Sequence, residues 1–205
     1  MKMAPHIDGL MEYLFDTNRM RRRSAIAMTD AVLCSRGVFK TSWSKAEDRP
    51  LVRALNPSSV FFDLSVRDSD DIRYWLEATA IPWSEFKKRV ESGRYDIPIG
   101  DVTPDRYPRW MSPDGDLNDA SKTLSMSKWV TVWEYYDRTN GKVCHFVEGP
   151  NRIVFEGKLS YVPYTMFSLN HNGVDCSGLS EVQLILDQQQ CINDLLTHWK
   201  KVTYM

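Results

Sequence analysis

The first part of the chain has apolar side chains at helical spacing. Two apolar clusters follow one another, formed by Leu10, Met11, Leu14, Ala25, Ile26, Met28, Val32 and Leu33. Spacings of three and four residues place such side chains on one face of a helix. The pattern predicts one long helix over about residues 8–35, with Gly37 marking its end.

Short β-rich segments follow this predicted helix. Residues 38–41, 51–55, 60–63 and 70–78 have strand character, and Pro50 and Asn56-Pro57 mark turns between them. Residues 82–90 predict a short helix, because a proline stands at its start and Gly93 follows its end. Prolines and glycines recur through residues 94–127, which predicts a long loop or insertion there.

A β-hairpin is predicted over residues 129–147. Alternating strand residues flank Asn140-Gly141, a pair that readily adopts the positive φ of a tight reversing turn. Residues 152–155 predict a further strand, and residues 161–167 an extended segment. Because strands cluster rather than alternate with helices, the order favours an α+β fold over a doubly wound sheet.

The last segment predicts a second long helix. Ser180 and Gln183 have the spacing of a capping box, in which each side chain bonds an unpaired backbone N–H of the first turn. Apolar residues then recur on one face: Val182, Ile185, Ile192, Leu196, Trp199 and Val202. A polar run, residues 187–190, interrupts this helix in its middle.

Composition narrows the class of protein. The 205 residues are 42% apolar, so the chain can bury a core, and its formal net charge of −1 argues against a protein that coats nucleic acid. The amino-terminal stretch lacks the apolar core of a signal peptide, and no apolar run is long enough to span a membrane. The four scattered cysteines are therefore interpreted as reduced thiols of a cytosolic protein.

Catalytic and cofactor motifs are missing from the sequence. There is no GxxxxGK[ST], GxGxxG or GxSxG, and the four histidines lie far apart. The Cys/His pairs have poor spacing for zinc. Asp63, Asp68, Asp70 and Asp71 form an acidic run that could hold Mg²⁺, although a solvated turn explains it better. We therefore expect no metal, no cofactor and no enzymatic activity.

Two features are open to a binding interpretation. Arg21, Arg22 and Arg23 form a basic cluster that could contact phosphates, although a solvated helix face or ion pairs with neighbouring subunits explain it better. The seven tryptophans could stack on single-stranded nucleic acid, but cores and subunit interfaces also use large aromatic residues.

Several stretches, taken in order, resemble the bacteriophage portal protein family, the head-to-tail connectors of tailed phages. These are the helix ending in AVLCSRGVF, the segment PLVRALNPSSVFFD, the segment PWSEFKK, the hairpin opening WEYY and the sequence YVPY. Last come GLSEV and QQCIN, which are similar to the family's Gly-x-Ser-x-Val…Gln-x-x-x-Asn helix. The likeness spans most of the chain, except the loop near residues 94–127.

The resemblance implies a structural subunit of a ring, typically of twelve copies, at one vertex of the capsid in the virion. Double-stranded DNA would pass through the channel, and the ring would dock the terminase motor, the tail adaptor and the major capsid protein. Assembly would take place in the host cytoplasm. Residues 1–205 would form one wing-like region, cut before the stem and clip, with the last helix running toward the stem.

Within such a ring, Gln189, Asn193 and Trp199 are candidate subunit-interface residues. Gln189 and Asn193 lie one helical turn apart on the same side. Two alternatives from other classes stay open. The chain could be a nucleic-acid-binding module that uses Arg21–Arg23 and exposed aromatic residues, or a metal-dependent hydrolase that uses the Asp68–Asp71 region or the Cys/His pairs.

Overall fold

The computed structural model describes residues 4–104, 128–150 and 152–203, with side chains from residue 7 onward. The chain divides into two compact units. Unit 1 contains residues 1–57, 64–71 and 163–205, and unit 2 contains residues 58–63 and 72–162. Each unit therefore includes segments that are far apart in sequence.

The described residues form four α-helices and eight strands. In chain order these are α1 (Ala4–Thr17), α2 (Met20–Cys34), β1 (Gly37–Ser44), β2 (Arg49–Leu55), β3 (Val60–Phe62), β4 (Tyr74–Pro82), α3 (Trp83–Glu91), β5 (Trp129–Asp137), β6 (Lys142–Val147), β7 (Arg152–Lys158), β8 (Tyr164–Phe167) and α4 (Glu181–Thr203). This α+β content, with helices at both ends of the described chain, confirms the predicted fold class.

Unit 1 contains a three-stranded antiparallel sheet in the order β2-β1-β8. Thr41 pairs with Val52 on one side of β1, and Val38 pairs with Met166 on the other. Helix α2 contacts β1 and β2, and its small residues Ala27 and Ala31 are fully buried. Small side chains allow the helix to approach the sheet closely, and β2 is left as an edge strand.

The predicted single helix over residues 8–35 is divided into α1 and α2. Arg19 adopts left-handed backbone angles, φ 50° and ψ 45°, which end one helix before the next begins. The neighbouring Asn18 is buried, and its side-chain amide donates to the carbonyls of Leu14 and Pro50 at 3.0 and 3.1 Å. These bonds connect the break to strand β2, so a tertiary interaction stabilises it.

Unit 2 is built on a five-stranded antiparallel sheet in the order β3-β4-β5-β6-β7. Helix α3 follows β4 directly and buries Phe86, whose ring stacks on Trp83 at 5.6 Å between centroids. The core around it consists of Ile81, Phe86, Tyr95, Ile97, Val102, Val130, Val132, Val147 and Val154. This cluster forms a hydrophobic core of unit 2.

The predicted hairpin is confirmed as β5 and β6. Gly141 has φ 63° in the connecting turn, and Asp137 accepts bonds from the backbone and side-chain nitrogens of Asn140 at 2.9 and 2.6 Å. The strand predicted over residues 70–78 begins only at Tyr74, because Ser69–Asp71 forms a 3₁₀ turn. Most of the predicted loop over residues 94–127 lies outside the described residues; its described part contains the 3₁₀ turn Ile99–Asp101.

Candidate functional site

The loop that leads from β8 into α4 is held by side-chain hydrogen bonds. Asn172 Oδ1 accepts from the backbone nitrogens of Val174 and Asp175 at 2.9 and 3.0 Å. Asp175 in turn accepts from the backbone N–H and the hydroxyl of Ser177. The two bonds from Ser177 are the largest cause that lowers the pKa of the Asp175 carboxyl below its ordinary value.

Gly178 ends this loop in a position that requires glycine. Its φ is +74°, and a Cβ atom built there would lie 2.6 Å from Ser168 Cβ and 2.7 Å from the carbonyl oxygen of Asn170. Both the left-handed backbone and the close approach exclude a side chain. The next residue, Leu179, donates its backbone N–H to that same carbonyl at 2.8 Å.

The predicted capping box at the start of α4 is confirmed. The backbone N–H of Ser180 donates to Gln183 Oε1, and the backbone N–H of Gln183 donates to Ser180 Oγ, each at 3.0 Å. Ser180 is only 3% exposed, so these bonds lie largely away from water. The loop and the cap together fix where α4 begins within unit 1.

Helix α4 itself is exposed along its whole length. None of its 23 residues is buried. Its large apolar side chains are 43–67% exposed; they are Val182, Leu184, Ile185, Leu186, Ile192, Leu195, Leu196, Trp199 and Val202. An uncovered apolar surface of this extent is typical of a protein–protein interaction site.

Seven of these nine apolar residues, together with Cys191, form two adjoining stripes along α4. Ile185, Ile192, Leu196 and Trp199 follow one another at helical spacings of seven, four and three residues. A second stripe runs beside it through Leu184, Cys191, Leu195 and Val202. A single stripe suits one partner helix, and two adjoining stripes offer surface for more than one contact.

The three predicted interface residues all lie on this helix. Gln189 Nε2 donates to Asn193 Oδ1 at 3.1 Å, so the two side chains bond one another across one turn. Trp199 is among the most exposed residues of α4. The structure therefore brings Gln189 and Asn193 together as their spacing predicted, and their role in a subunit contact stays a prediction.

A further apolar surface lies on α1, also in unit 1. Its exposed large side chains are Ile7, Leu10, Met11, Tyr13 and Phe15. Leu33, near the end of α2, is exposed as well. Unit 1 thus has uncovered apolar side chains on more than one helix.

The three residues of the predicted basic cluster have different surroundings on α2. They are Arg21, Arg22 and Arg23. Arg21 and Arg22 are exposed on α2, whereas Arg23 is half-buried and donates to Asn18 Oδ1 at 3.3 Å. Arg23 instead associates with Arg19 and with two arginines of β2, Arg49 and Arg53, which the sequence analysis did not connect with it. We call Arg19, Arg23, Arg49 and Arg53 the arginine cluster; the positive charges of the other three contribute to lowering the pKa of Arg23, after the larger effect of burial.

The acidic run has structural partners of its own. Asp63 accepts from Arg73 Nε at 2.6 Å in unit 2, and Asp68 Oδ1 accepts from the backbone nitrogen of Asp70 at 3.0 Å in unit 1. An open depression of about 490 Å³ lies beside that second turn, with Asp68, His171 and Cys176 in its lining. Among the described residues no group of three His, Cys, Asp or Glu side chains has the arrangement to hold a metal ion.

The comparison with known families gives a match over most of the chain. The model of the family described as "Phage P22-like portal protein" matches residues 1–163, which is well over half of the chain. No curated protein matches the sequence. None of the helices in the described part of the chain has the length and apolar character needed to cross a membrane.

Proposed function

The chain belongs to the phage P22-like portal protein family, and from this membership we propose that it is a subunit of a portal ring at the capsid vertex. Membership of this family implies that the protein has a structural role in phage particles. In the proposed ring, copies of the chain surround a channel through which double-stranded DNA enters during packaging and leaves during ejection.

The observation that supports this proposal most directly is the uncovered surface of α4. A ring is made by a repeated heterologous contact, in which one surface of each copy meets a different surface of the next. Such a contact removes exposed apolar side chains from water at about 25 cal/mol per Å². We propose that the apolar side of α4 is covered in this way, with Trp199 as a large aromatic anchor.

Gln189 and Asn193 have a defined place in this proposal. Their mutual hydrogen bond is exposed and leaves further donors and acceptors on both amides. A neighbouring copy would meet these groups at the border of the apolar side. They would contribute specificity of register rather than most of the binding free energy.

The remaining partners follow from the family role. We propose that the assembled ring docks the terminase during packaging and the tail adaptor afterwards, and contacts the major capsid protein. Assembly would take place in the host cytoplasm before the ring becomes part of the virion. A ring subunit of this kind needs neither a catalytic step nor a cofactor.

The experiment is a measurement of molar mass by size-exclusion chromatography with light scattering, as a function of protein concentration. We expect masses that rise to a defined multiple of 23.8 kDa. The double variant Ile192→Glu with Leu196→Glu should shift the protein to the monomer, because two buried charges are costly in an apolar contact. The matched control, Gln190→Glu with Thr197→Glu, changes the polar side of the same helix and should assemble normally.

Two outcomes would contradict the proposal. One is that the wild-type chain stays monomeric at every concentration measured. The other is an assembly whose mass is unchanged by the Ile192 and Leu196 substitutions, since the contact would then lie elsewhere.

A further inference from the structure

The first turn of α2 has charges of the wrong sign for a helix amino terminus. Unpaired N–H groups give that end a partial positive charge, so acidic side chains are favoured there. The turn instead contains Arg21, Arg22 and Arg23 and no acidic residue, and α2 starts without a side-chain cap. Of these three arginines, Arg23 is the one in the arginine cluster, and it donates to Asn18 Oδ1 at 3.3 Å.

Strand β2 brings two further arginines to the same place. Arg49 and Arg53 are four residues apart on a strand, so both side chains lie on one face of the sheet. Asn18 joins this strand to α2, because its Oδ1 accepts from the N–H of Val52 at 3.0 Å and from Arg23 Nη1 at 3.3 Å. The arginine cluster therefore forms where the break between α1 and α2 meets the edge strand.

The arginine cluster has fewer acceptors than its charge demands. In the part of the chain that the structure describes, its single ion pair is that of Arg49 with Glu47. Arg49 is mostly buried, and its Nη1 has no hydrogen-bond partner among the described residues. A buried donor without an acceptor is costly, and four guanidinium groups against one carboxylate leave a net positive site.

We propose that the arginine cluster is a binding site for a phosphate oxyanion. The guanidinium group presents its donors in a planar fork that matches the oxygens of phosphate. A phosphate group has more acceptor oxygens than a carboxylate and can therefore bridge guanidinium groups from α2 and β2 at once. It would also place a negative charge near the start of α2.

The phosphate chemistry is common to two sources, a free phosphate or pyrophosphate and the backbone of nucleic acid. The proposal is independent of ring formation, because the arginine cluster lies on α2 and β2 and the proposed subunit contact on α4. It also differs from a basic patch made of Arg21–Arg23, since two of those three residues are outside the cluster.

The test uses the full chain with sodium pyrophosphate and with a short double-stranded DNA. Binding is followed by ³¹P NMR for pyrophosphate and by fluorescence anisotropy for DNA. We expect Arg49→Gln with Arg53→Gln to weaken binding about tenfold or more, because each charge-assisted contact contributes on the order of a factor of ten. The matched control, Arg21→Gln with Arg22→Gln, should stay within about twofold of the wild type, a change too small for a lost direct contact.

The single variant Arg53→Gln distinguishes weaker binding from a loss of folding. Arg53 is exposed, so Arg53→Gln should fold as the wild type does when checked by circular dichroism. Pyrophosphate should raise the melting temperature of the wild type and raise that of Arg53→Gln less. For DNA, the same variant should reduce the slope of log K against log salt by about one.

The arms of the test separate the sources. DNA binding that pyrophosphate displaces only weakly supports nucleic acid as the source, and equal affinities support free phosphate. No binding to either probe overturns the proposal, and so does binding that only the Arg21 and Arg22 substitutions abolish. Binding of poly-glutamate in place of both phosphate probes would overturn it as well, in favour of an acidic protein partner.

Discussion

The side-chain amide of Asn18 forms a hydrogen bond with the backbone of Val52 of the kind that a neighbouring strand would otherwise provide. Asn18 Oδ1 accepts from the backbone N–H of Val52 at 3.0 Å, and its Nδ2 donates to the carbonyl of Pro50 at 3.1 Å. Those two backbone groups are on the outer side of β2, the edge strand of its sheet. One side chain thus satisfies an edge that would otherwise need water or another strand.

Replacing Asn18 with alanine should therefore destabilise unit 1. The change removes both bonds to β2 and leaves a partly buried N–H and a partly buried carbonyl without these partners. We expect a loss of about 2–4 kcal/mol in the free energy of unfolding, from the desolvation cost of such groups. Urea unfolding followed by circular dichroism measures it.

Thr17→Ala is the matched control for Asn18→Ala. Thr17 is the preceding residue, and its hydroxyl donates only within α1, to the carbonyl of Tyr13 at 2.6 Å. It should change the free energy of unfolding by less than about 0.5 kcal/mol. A similar small change for Asn18→Ala would mean that the bonds to β2 contribute little.

Asn18 also shows which features of the fold cannot be predicted from the sequence. The capping box of Ser180 and Gln183 and the turn at Asn140-Gly141 were predicted correctly, because their partners lie within three residues. The division between α1 and α2 was not predicted, because the groups that stabilise it, Pro50 and Val52, are 32 and 34 residues from Asn18. The polar stretch over residues 16–24 separates the two apolar clusters, but such a stretch is equally compatible with a solvated face of one continuous helix.

The candidate sites have the same limit. The spacing of Gln189 and Asn193 predicted that the two side chains would meet, since residues four apart on a helix are neighbours. The association of Arg23 with Arg49 and Arg53 depends on how α2 packs against β2, and periodicity contains no information on that packing. Arg53 lies in the predicted strand over residues 51–55 and Arg49 lies two residues before it, but no pattern in the sequence places either of them beside α2.

Gly178 and Gly173 provide a matched pair of substitutions. Both have positive φ, +74° and +76°, but a Cβ atom at Gly178 would meet Ser168 and Asn170, whereas nothing lies within 4 Å of one at Gly173. Gly173→Ala should cost about 1 kcal/mol, the price of a left-handed alanine. Gly178→Ala should cost at least about 2 kcal/mol more, because the backbone has to move.

Thermal unfolding of the two variants against the wild type gives the comparison. Equal shifts in melting temperature would show that the loop yields freely around residue 178. In that case the approach of Ser168 would not constrain the start of α4.

The carboxyl of Asp175 should make the stability of unit 1 depend on acid pH. Hydrogen bonds from Ser177 and Asn172 lower its pKa in the folded protein relative to the unfolded value of about 3.9. The folded state therefore gains stability above that unfolded value and loses it as the pH falls through the lower folded pKa. Asp175→Asn removes the titrating group and should reduce the loss.

Urea unfolding between about pH 5 and pH 2.5 measures this effect, since the interval covers the titration of an ordinary aspartate. Asp194→Asn, an exposed change on α4, is the control and should follow the wild type. Parallel curves for the wild type and Asp175→Asn would mean that the bonds from Ser177 do not favour the ionised carboxyl.

The capping box allows the start of α4 to be tested separately from its apolar side. Ser180→Ala and Gln183→Ala should each destabilise the first turn of the helix by about 1 kcal/mol, the usual cost of a lost cap. Because each side chain bonds the backbone of the other residue, the double variant should cost less than the sum if the two bonds support one another. Hydrogen exchange of the amides of residues 181–184 detects the change locally.

Gln190→Ala is the control for both, because Gln190 lies in the exposed middle of α4 and outside the cap. It should leave exchange in the first turn unchanged. If Ser180→Ala loosens this turn but the oligomeric mass stays the same, the subunit contact depends on the apolar side of α4 rather than on its anchoring. If the mass falls as well, the cap positions the helix for the neighbouring copy, and the loop at Gly178 becomes part of the assembly mechanism.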